Sequence, residues 1–263
     1  MRVAVTIAGQ LRDYKINALN HIKQIIEPNN ADVFVYACSK NTLHTTGDNV
    51  TQNYKITTVQ SSEEITNDVQ EIYGKHLKQV VVNENEELDD LNFGTLGYFK
   101  KRMNNQMTNI RNGYLMAKEY SSKNNFEYDV IVRCRPDNSM FLKPVLLQGA
   151  DFHEDVIYTT IYPSGHKDPW FFSFSKPDTF NKYCSFVYLD GADESRTDNN
   201  FNCPEVALEQ HIRNAGMKLV FIPSICRPFY QYDKTQPVTH FPYRNAEEKL
   251  IDAEGNLVDQ RVD

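Results

Sequence analysis

Arg2-Val3-Ala4-Val5-Thr6-Ile7, then Tyr14 to Ile26, then Ala31-Asp32-Val33-Phe34-Val35-Tyr36-Ala37-Cys38: this opening stretch decides the fold. Its first and third parts are short apolar runs of strand length. The middle part repeats apolar residues at helical spacing, at Ile16, Leu19, Ile22, Ile25 and Ile26. Parallel neighbours in a sheet need a crossover of this kind, whereas antiparallel ones need only a turn. Strand, helix and strand within residues 2–38 therefore predict a parallel α/β unit.

The pattern extends downstream. Residues 39–61 are polar and rich in Thr and Asn, and predict a loop with weak strands. Residues 62–73 predict a helix and Leu77 to Val82 a strand. The longest helix is predicted from Leu96 to Tyr120, with Phe99, Met103, Met107, Ile110, Tyr114 and Ala117 spaced by three or four. Further strands are expected at Val156 to Ile161, Trp170 to Ser175 and Lys218 to Ile222, with helices at 177–188 and 204–215. From Cys226 the chain is rich in Pro, Tyr and Phe without periodicity, which reads as a tail wrapped over the surface. The expected fold class is α/β: a Rossmann-like, mostly parallel central sheet flanked by helices, in one domain over residues 1–225 with a C-terminal tail at 226–263.

A chain of 263 residues is long enough for one substantial core. Its formal net charge of -7 argues against general binding to nucleic acid or anionic membranes. Cys38, Cys134, Cys184, Cys203 and Cys226 are scattered and lack the paired spacings of a zinc site, so they read as reduced intracellular thiols. The seven histidines show no metal-cluster spacing either. A strand that starts at Arg2 leaves no room for a leader peptide, and no apolar run reaches the roughly 18 residues of a membrane span. The expectation is a soluble, cytoplasmic protein.

The residues that carry chemistry cluster where predicted strands end. Tyr128-Asp129-Val130-Ile131-Val132-Arg133-Cys134-Arg135-Pro136-Asp137 runs from an apolar strand core into two cations and an anion. Side chains alternate along an extended chain, so Arg133, Arg135 and Asp137 share one face and Cys134 points the other way. Pro136 disfavours helix at Arg135, which extends this geometry to Asp137. The carboxyl end of a central strand is the usual ligand position in an open α/β sheet. Asp137 is then a candidate ligand for Mg2+ or Mn2+ bridging a diphosphate, with Arg133 or Arg135 neutralising phosphate or holding the carboxylate. The alternative is a structural salt bridge between Asp137 and one arginine.

The first strand ends in Ala8-Gly9-Gln10-Leu11-Arg12, where small residues let backbone amides approach a phosphate and Gln10 and Arg12 offer donors. Its competing reading is a tight turn with a surface arginine. His166-Lys167-Asp168-Pro169-Trp170-Phe171-Phe172-Ser173 places a carboxylate just before an aromatic strand, so Asp168 is a candidate general base or sugar-hydroxyl acceptor, or else a turn initiator. Pro204 suits the first position of a helix and Glu205 its first turn, either as a dipole-stabilising acid or as a carboxylate facing an acceptor hydroxyl. Gln106 sits beside Met103, Met107 and Ile110 and either faces the cleft or marks the core edge. The sequence has no G-x-S-x-G, no phosphate-binding loop and no G-x-G-x-x-G, which disfavours hydrolase, P-loop NTPase and classical dinucleotide readings.

In order and spacing these segments resemble GT-A-type glycosyltransferases, in particular polysaccharide-type transferases of bacteria and large viruses. The resemblance is carried by Val3 to Arg12, Ala31 to Val35, Tyr128 to Asp137, Lys167 to Ser175 and Cys203 to Leu208. It implies a GT-A-like sheet and transfer of a sugar from a nucleoside diphosphate sugar to a hydroxyl of a glycan or related acceptor. By position Asp137 matches the last acid of the family's metal-binding D-x-D, while Arg135 stands where its first aspartate is expected. The resemblance further implies that Ala8 to Arg12 lie at the nucleotide-binding edge. For inverting transfer, the base would be Asp168 first and Glu205 second. The rivals are a sugar-phosphate nucleotidyltransferase, for which Ala8 to Arg12 is a poor loop, and a non-catalytic glycan- or nucleotide-binding protein on a degenerate transferase scaffold.

Overall fold

In the computed structural model, residues 1–12, 14–45, 53–84, 96–136, 144–159, 172–186, 204–221, 243–244 and 250–251 are described. Strand β1 (Val3–Gln10) and strand β2 (Asp32–Cys38) are parallel neighbours, with Ile7 beside Val35 and Gln10 beside Cys38. Between them α1 (Tyr14–His21) passes through a π-helical segment at Ile22–Ile26 into the short α2 (Glu27–Asn29). Asn30 ends this run in the left-handed region at φ 47, its N–H donating to the Glu27 carbonyl at 3.1 Å.

Within residues 39–61, expected to form a loop with weak strands, two strands pair as an antiparallel hairpin, β3 (Lys40–Thr45) and β4 (Asn53–Val59). The Thr content that made the stretch read as weak strand is adequate for two strands that pair locally. Helix α3 (Ser62–Tyr73) starts with a capping box. The Ser61 hydroxyl accepts the Glu64 N–H at 3.1 Å, and the Glu64 carboxylate accepts the Ser61 N–H at 3.0 Å. It leads to β5 (Leu77–Asn83), parallel to β2. The long α4 (Leu96–Lys123) then crosses back to β6 (Val130–Cys134), which lies on the other side of β1.

Beyond β6 come β7 (Val156–Thr159), β8 (Phe172–Ser175), α5 (Pro177–Cys184), α6 (Pro204–Asn214) and β9 (Lys218–Phe221). The seven-stranded sheet has the order β5-β2-β1-β6-β8-β7-β9, and β8 runs against the other six. The expected mostly parallel α/β sheet flanked by helices is what the chain adopts. A separate two-stranded pair, β10 (Tyr243–Arg244) with β11 (Leu250–Ile251), is all that is described of the segment expected to form the tail. No helix of the described residues is long and apolar enough to cross a membrane.

Two faces of the sheet are covered by different helices. Thr6, Arg133 and Ser173 lie in register on one face, and a Cβ built on Gly113 of α4 would sit 3.5 Å from the Thr6 Cβ and 3.6 Å from the Ala8 Cβ. Helix α5 joins α4 there through Phe180, whose ring lies 5.6 Å from that of Tyr114. Cys134 belongs to the opposite face, close to Tyr73 of α3. The apolar stripe Met103, Met107, Ile110, Tyr114 and Ala117 is buried as its spacing predicts. One core runs from Val3 through to Met217.

Candidate functional site

The strand order reverses at β1. The chain leaves β1 toward β2 and β5, then returns across the sheet to β6 on β1's other flank. With α1 leaving β1 and α4 entering β6 over opposite faces, the carboxyl ends of β1 and β6 border the crevice at a topological switch point. The pairing of β1 with β6 ends at Ile7 beside Cys134, so Ala8-Gly9-Gln10, still paired with β2, and Arg135-Pro136 run on next to each other. Two of the segments singled out from sequence therefore meet at one edge.

β1 continues to Gln10, two residues past the buried Ala8. Gly9 has φ 122, a region that side chains rarely adopt, and a Cβ placed there would meet no atom of the described residues within 4 Å. An open approach to the backbone at this point is what a ligand phosphate would need. Gln10 and Arg12 are half-buried, and the Arg12 Nη2 donates to the Gln10 Oε1 at 3.2 Å. Arg12 itself adopts φ 39, which turns the chain into α1.

β6 stops at Cys134, and Pro136 lies in a turn, so the extended geometry ends before Asp137. A proline has no N–H to offer a ladder, and β1 pairs no further than Cys134. Arg133 is 0% exposed, while Arg135 is half-buried. The two cations thus sit at different depths: Arg133 under the edge, Arg135 at it. Cys134 faces α3, and burial pushes its thiol up to about 12, only partly offset by the Arg133 charge. It is a neutral packing residue at physiological pH, not a nucleophile.

From above the Thr6 side of the sheet, α4 places its N-terminal half over the same edge. Tyr120 packs on Phe34 at 5.5 Å near the start of β2, Gly113 covers Thr6 and Ala8, and the Asn109 Nδ2 reaches the Cys38 Sγ at 3.3 Å at the end of β2. Gln106, half-buried, follows one turn further toward the crevice. Asn109 and Cys38 were not singled out in the sequence. A lone Asn within an apolar stripe carries no signal for the strand end it meets.

Asp137 and Asp168 lie outside the described residues. Phe172, four positions after Asp168, starts β8 directly beside Cys134. Glu205 is the second residue of α6, and its side chain is likewise outside the described residues. A short connection joins α6 to β9, against which it packs, so the helix runs antiparallel to that strand and starts on the crevice side. Among the described residues no group of three or more His, Cys, Asp or Glu could hold a metal ion.

The crevice is braced from α3. The Tyr14 hydroxyl donates to the Asp68 Oδ2 at 2.7 Å, and the Lys15 ammonium lies 2.7 Å from the same oxygen. These hydrogen bonds, from Lys15 first and Tyr14 second, hold the Asp68 carboxyl below its ordinary range. Burial, reinforced by Asp68, raises the Tyr14 hydroxyl. At the opposite edge of the sheet, a depression of about 400 Å³ is lined by Met1, Arg2, Asn29, Asn30, Asp32, Phe126 and Gln148. Its polar groups engage one another: Asp32 accepts from Tyr128 at 2.8 Å, Gln148 donates to the Met1 carbonyl at 3.2 Å, and the Arg2 guanidinium lies 4.3 Å from the Phe126 ring centre.

The fold defines an α/β protein, with a candidate ligand crevice at the ends of β1 and β6. No known family model matches the chain, and no curated protein matches it. Among solved structures, the mannosyltransferase Ktr4p from S. cerevisiae is similar over 64% of this chain and 42% of its own, at 8% identity and a TM-score of 0.28. The chain therefore spans less than half the length of that enzyme.

Proposed function

We propose that the protein is a glycosyltransferase that moves a sugar, with inversion, from a nucleoside diphosphate sugar to a hydroxyl of a glycan or related acceptor. One observation carries the reading. Gly9 to Arg12, past the end of β1's pairing with β6, and the arginine-rich end of β6 lie side by side at the switch point, with open space over the Gly9 backbone. That combination suits a diphosphate, which takes backbone amides and guanidinium donors together.

In this reading the amides of Gly9 and Gln10, with Arg12 and Arg135, bind the donor diphosphate. Arg133 adds positive potential from beneath, where low dielectric strengthens it. The Gln106 amide contributes from α4. Asp137 would hold Mn2+ or Mg2+ together with diphosphate oxygens, because these ions accept as few as one protein carboxylate when phosphates complete the shell. A cation held there neutralises the charge that develops on the leaving group. Asp168 takes the proton of the acceptor hydroxyl as that oxygen bonds to the anomeric carbon. The bond from that carbon to the phosphate oxygen breaks, and the nucleoside diphosphate leaves with the electron pair. Glu205 is the second candidate for the base.

The test is incubation with a panel of nucleoside diphosphate sugars, Mn2+ and glycan acceptors. Release of nucleoside diphosphate with a glycosylated product is expected. Formation of pyrophosphate from a sugar phosphate and a nucleoside triphosphate would identify a nucleotidyltransferase instead, and binding without turnover a recognition module. Asp137→Ala should lower transfer to the level that EDTA leaves in the unmodified chain, and keep the fold intact. Asp168→Asn should lose turnover but keep donor binding; if only Glu205→Gln behaves that way, the base is Glu205.

A further inference from the structure

We infer that Asp68 on α3 is a positioning residue for the candidate donor edge, acting through Tyr14 rather than by touching the ligand. The inference rests on the donor-binding reading of Gly9 to Arg12 but adds residues, Asp68 and Tyr14, that the reading does not need for chemistry.

The turn from β1 into α1 is held at its far side by one short relay. The Tyr14 N–H donates to the Leu11 carbonyl at 2.8 Å, closing the turn that contains Arg12 at φ 39. Leu11 is 1% exposed and Tyr14 3% exposed, so both are locked in the core. The Tyr14 hydroxyl then donates to Asp68 at 2.7 Å across a separation of 54 positions. Lys15 adds a second cross-link to the same carboxylate oxygen. Tyr73, on the same helix α3, has its hydroxyl raised by burial first and then by its proximity to Cys134 and Tyr14. Helix α3 is therefore bonded to the chain just after Gly9–Arg12 and lies near Cys134, just before Arg135, at the two halves of the crevice.

A left-handed conformation at a non-glycine residue such as Arg12 is strained and persists only where its surroundings hold it. The relay supplies that constraint. Without it, Arg12 and the Gly9–Gln10 amides sample a wider set of orientations, and donor binding must select the productive one. The expected signature is weaker donor binding with the chemical step unchanged.

The experiment compares the wild-type chain with Asp68→Asn, Tyr14→Phe and Lys15→Ala in two measurements. The first is amide hydrogen exchange over residues 9–15. Asp68→Asn, which reduces the charged hydrogen bond to a neutral one, and Tyr14→Phe, which removes it, should speed exchange there about tenfold, with global unfolding still cooperative. Lys15→Ala, an exposed pair, should stay within about threefold of wild type. The second is titration with UDP and with GDP, each with Mn2+, and, where turnover is found, steady-state kinetics. Kd and donor KM should rise about tenfold in the first two variants with kcat within about twofold. Unchanged exchange at residues 9–15 in both Asp68→Asn and Tyr14→Phe would overturn the brace, as would loosened exchange with unchanged nucleotide affinity. If the wild-type chain binds neither nucleotide, the donor reading of this edge fails and the positioning role with it, while the exchange data still show whether the relay holds the turn.

Discussion

Replacing Gly113 by alanine tests the helix-on-sheet geometry that brings α4 to the crevice. Gly113 lies within the 28-residue α4, where glycine costs about 1 kcal/mol relative to alanine because it orders more backbone freedom. Glycine in such a position is usually needed for close approach. Here it is not: the added Cβ would lie 3.5 Å from the Thr6 Cβ and 3.6 Å from the Ala8 Cβ, ordinary van der Waals contact. The methyl also becomes buried between helix and sheet, worth about 0.8 kcal/mol if water is fully excluded. Gly113→Ala should therefore stabilise the protein by about 1–2 kcal/mol, a rise in melting temperature of about 3–6 °C for a domain of this size. Urea unfolding by circular dichroism and thermal melts would read both. A loss of more than about 0.5 kcal/mol would mean instead that α4 lies nearer β1 than these contacts allow, and would overturn the expectation. Gly113→Leu supplies the opposite arm. Its bulk cannot fit, and it should cost about 1–3 kcal/mol and weaken donor binding by lifting α4, with Gln106, from the edge.

Other expectations follow from single features. Gly9→Ala should cost about 1–3 kcal/mol from its φ of 122 alone, and Gly9→Ser the same, since the space beside it is open; denaturant midpoints for both would show it. Arg133→Met replaces a buried cation by an apolar chain of similar length, and should keep a cooperative melt while turnover falls about a hundredfold, by analogy with loss of one electrostatic stabiliser. Turnover within about threefold of wild type would make Arg133 purely structural. His211 is held below its usual pKa by burial, only partly offset by hydrogen bonding to α5 carbonyls, including donation from Nε2–H to the Lys182 carbonyl at 3.1 Å. The unfolded chain binds that proton more readily, so the contribution is complete above about pH 6.5 and declines as pH falls below it. His211→Gln should flatten the change in urea midpoint between pH 7.5 and pH 5.5.

Much of the fold was legible because its signals are local. Val3 to Ile7, the Ile-rich stretch after Tyr14, and Asp32 to Cys38 each show their period within a few residues, and the same holds for the stripe of α4. The direction of β8 was not legible: Phe172 to Ser175 reads as a strand whichever way it runs, and only pairing with Arg133 and Tyr158 fixes it. At the crevice, alternation gave a shared face to Arg133 and Arg135 but could not give depth. Depth depends on where β1 stops pairing, which is a property of two strands more than a hundred residues apart. Asp68 was invisible for the same reason. It flanks the buried Val69 on an amphipathic helix and looks like an exposed acid until Tyr14 is brought against it.

The difference in depth between the two arginines bears on how a site with one carboxylate could work. A D-x-D pair supplies two negative charges to hold a divalent cation; in the proposed reading Arg135 stands where the first acid would, so that position adds positive charge instead. A cation at Asp137 would then sit beside a guanidinium that repels it, and its affinity would depend on the diphosphate arriving with it. In the proposed reading the same two arginines would themselves supply positive potential at the leaving group, Arg133 from a site water does not reach. The consequence is a distinctive metal dependence. Mn2+ should bind the free protein weakly, bind well only in the presence of nucleoside diphosphate, and on removal by EDTA lower turnover without abolishing it. Restoring the acid with Arg135→Asp should reverse the pattern, tightening Mn2+ in the free protein and making activity strictly metal-dependent. Isothermal titration of Mn2+ with and without UDP or GDP, in both proteins, measures this directly. Tight Mn2+ binding to the unmodified chain without nucleotide would refute the argument, because it would require a second acidic ligand that Arg135 does not replace.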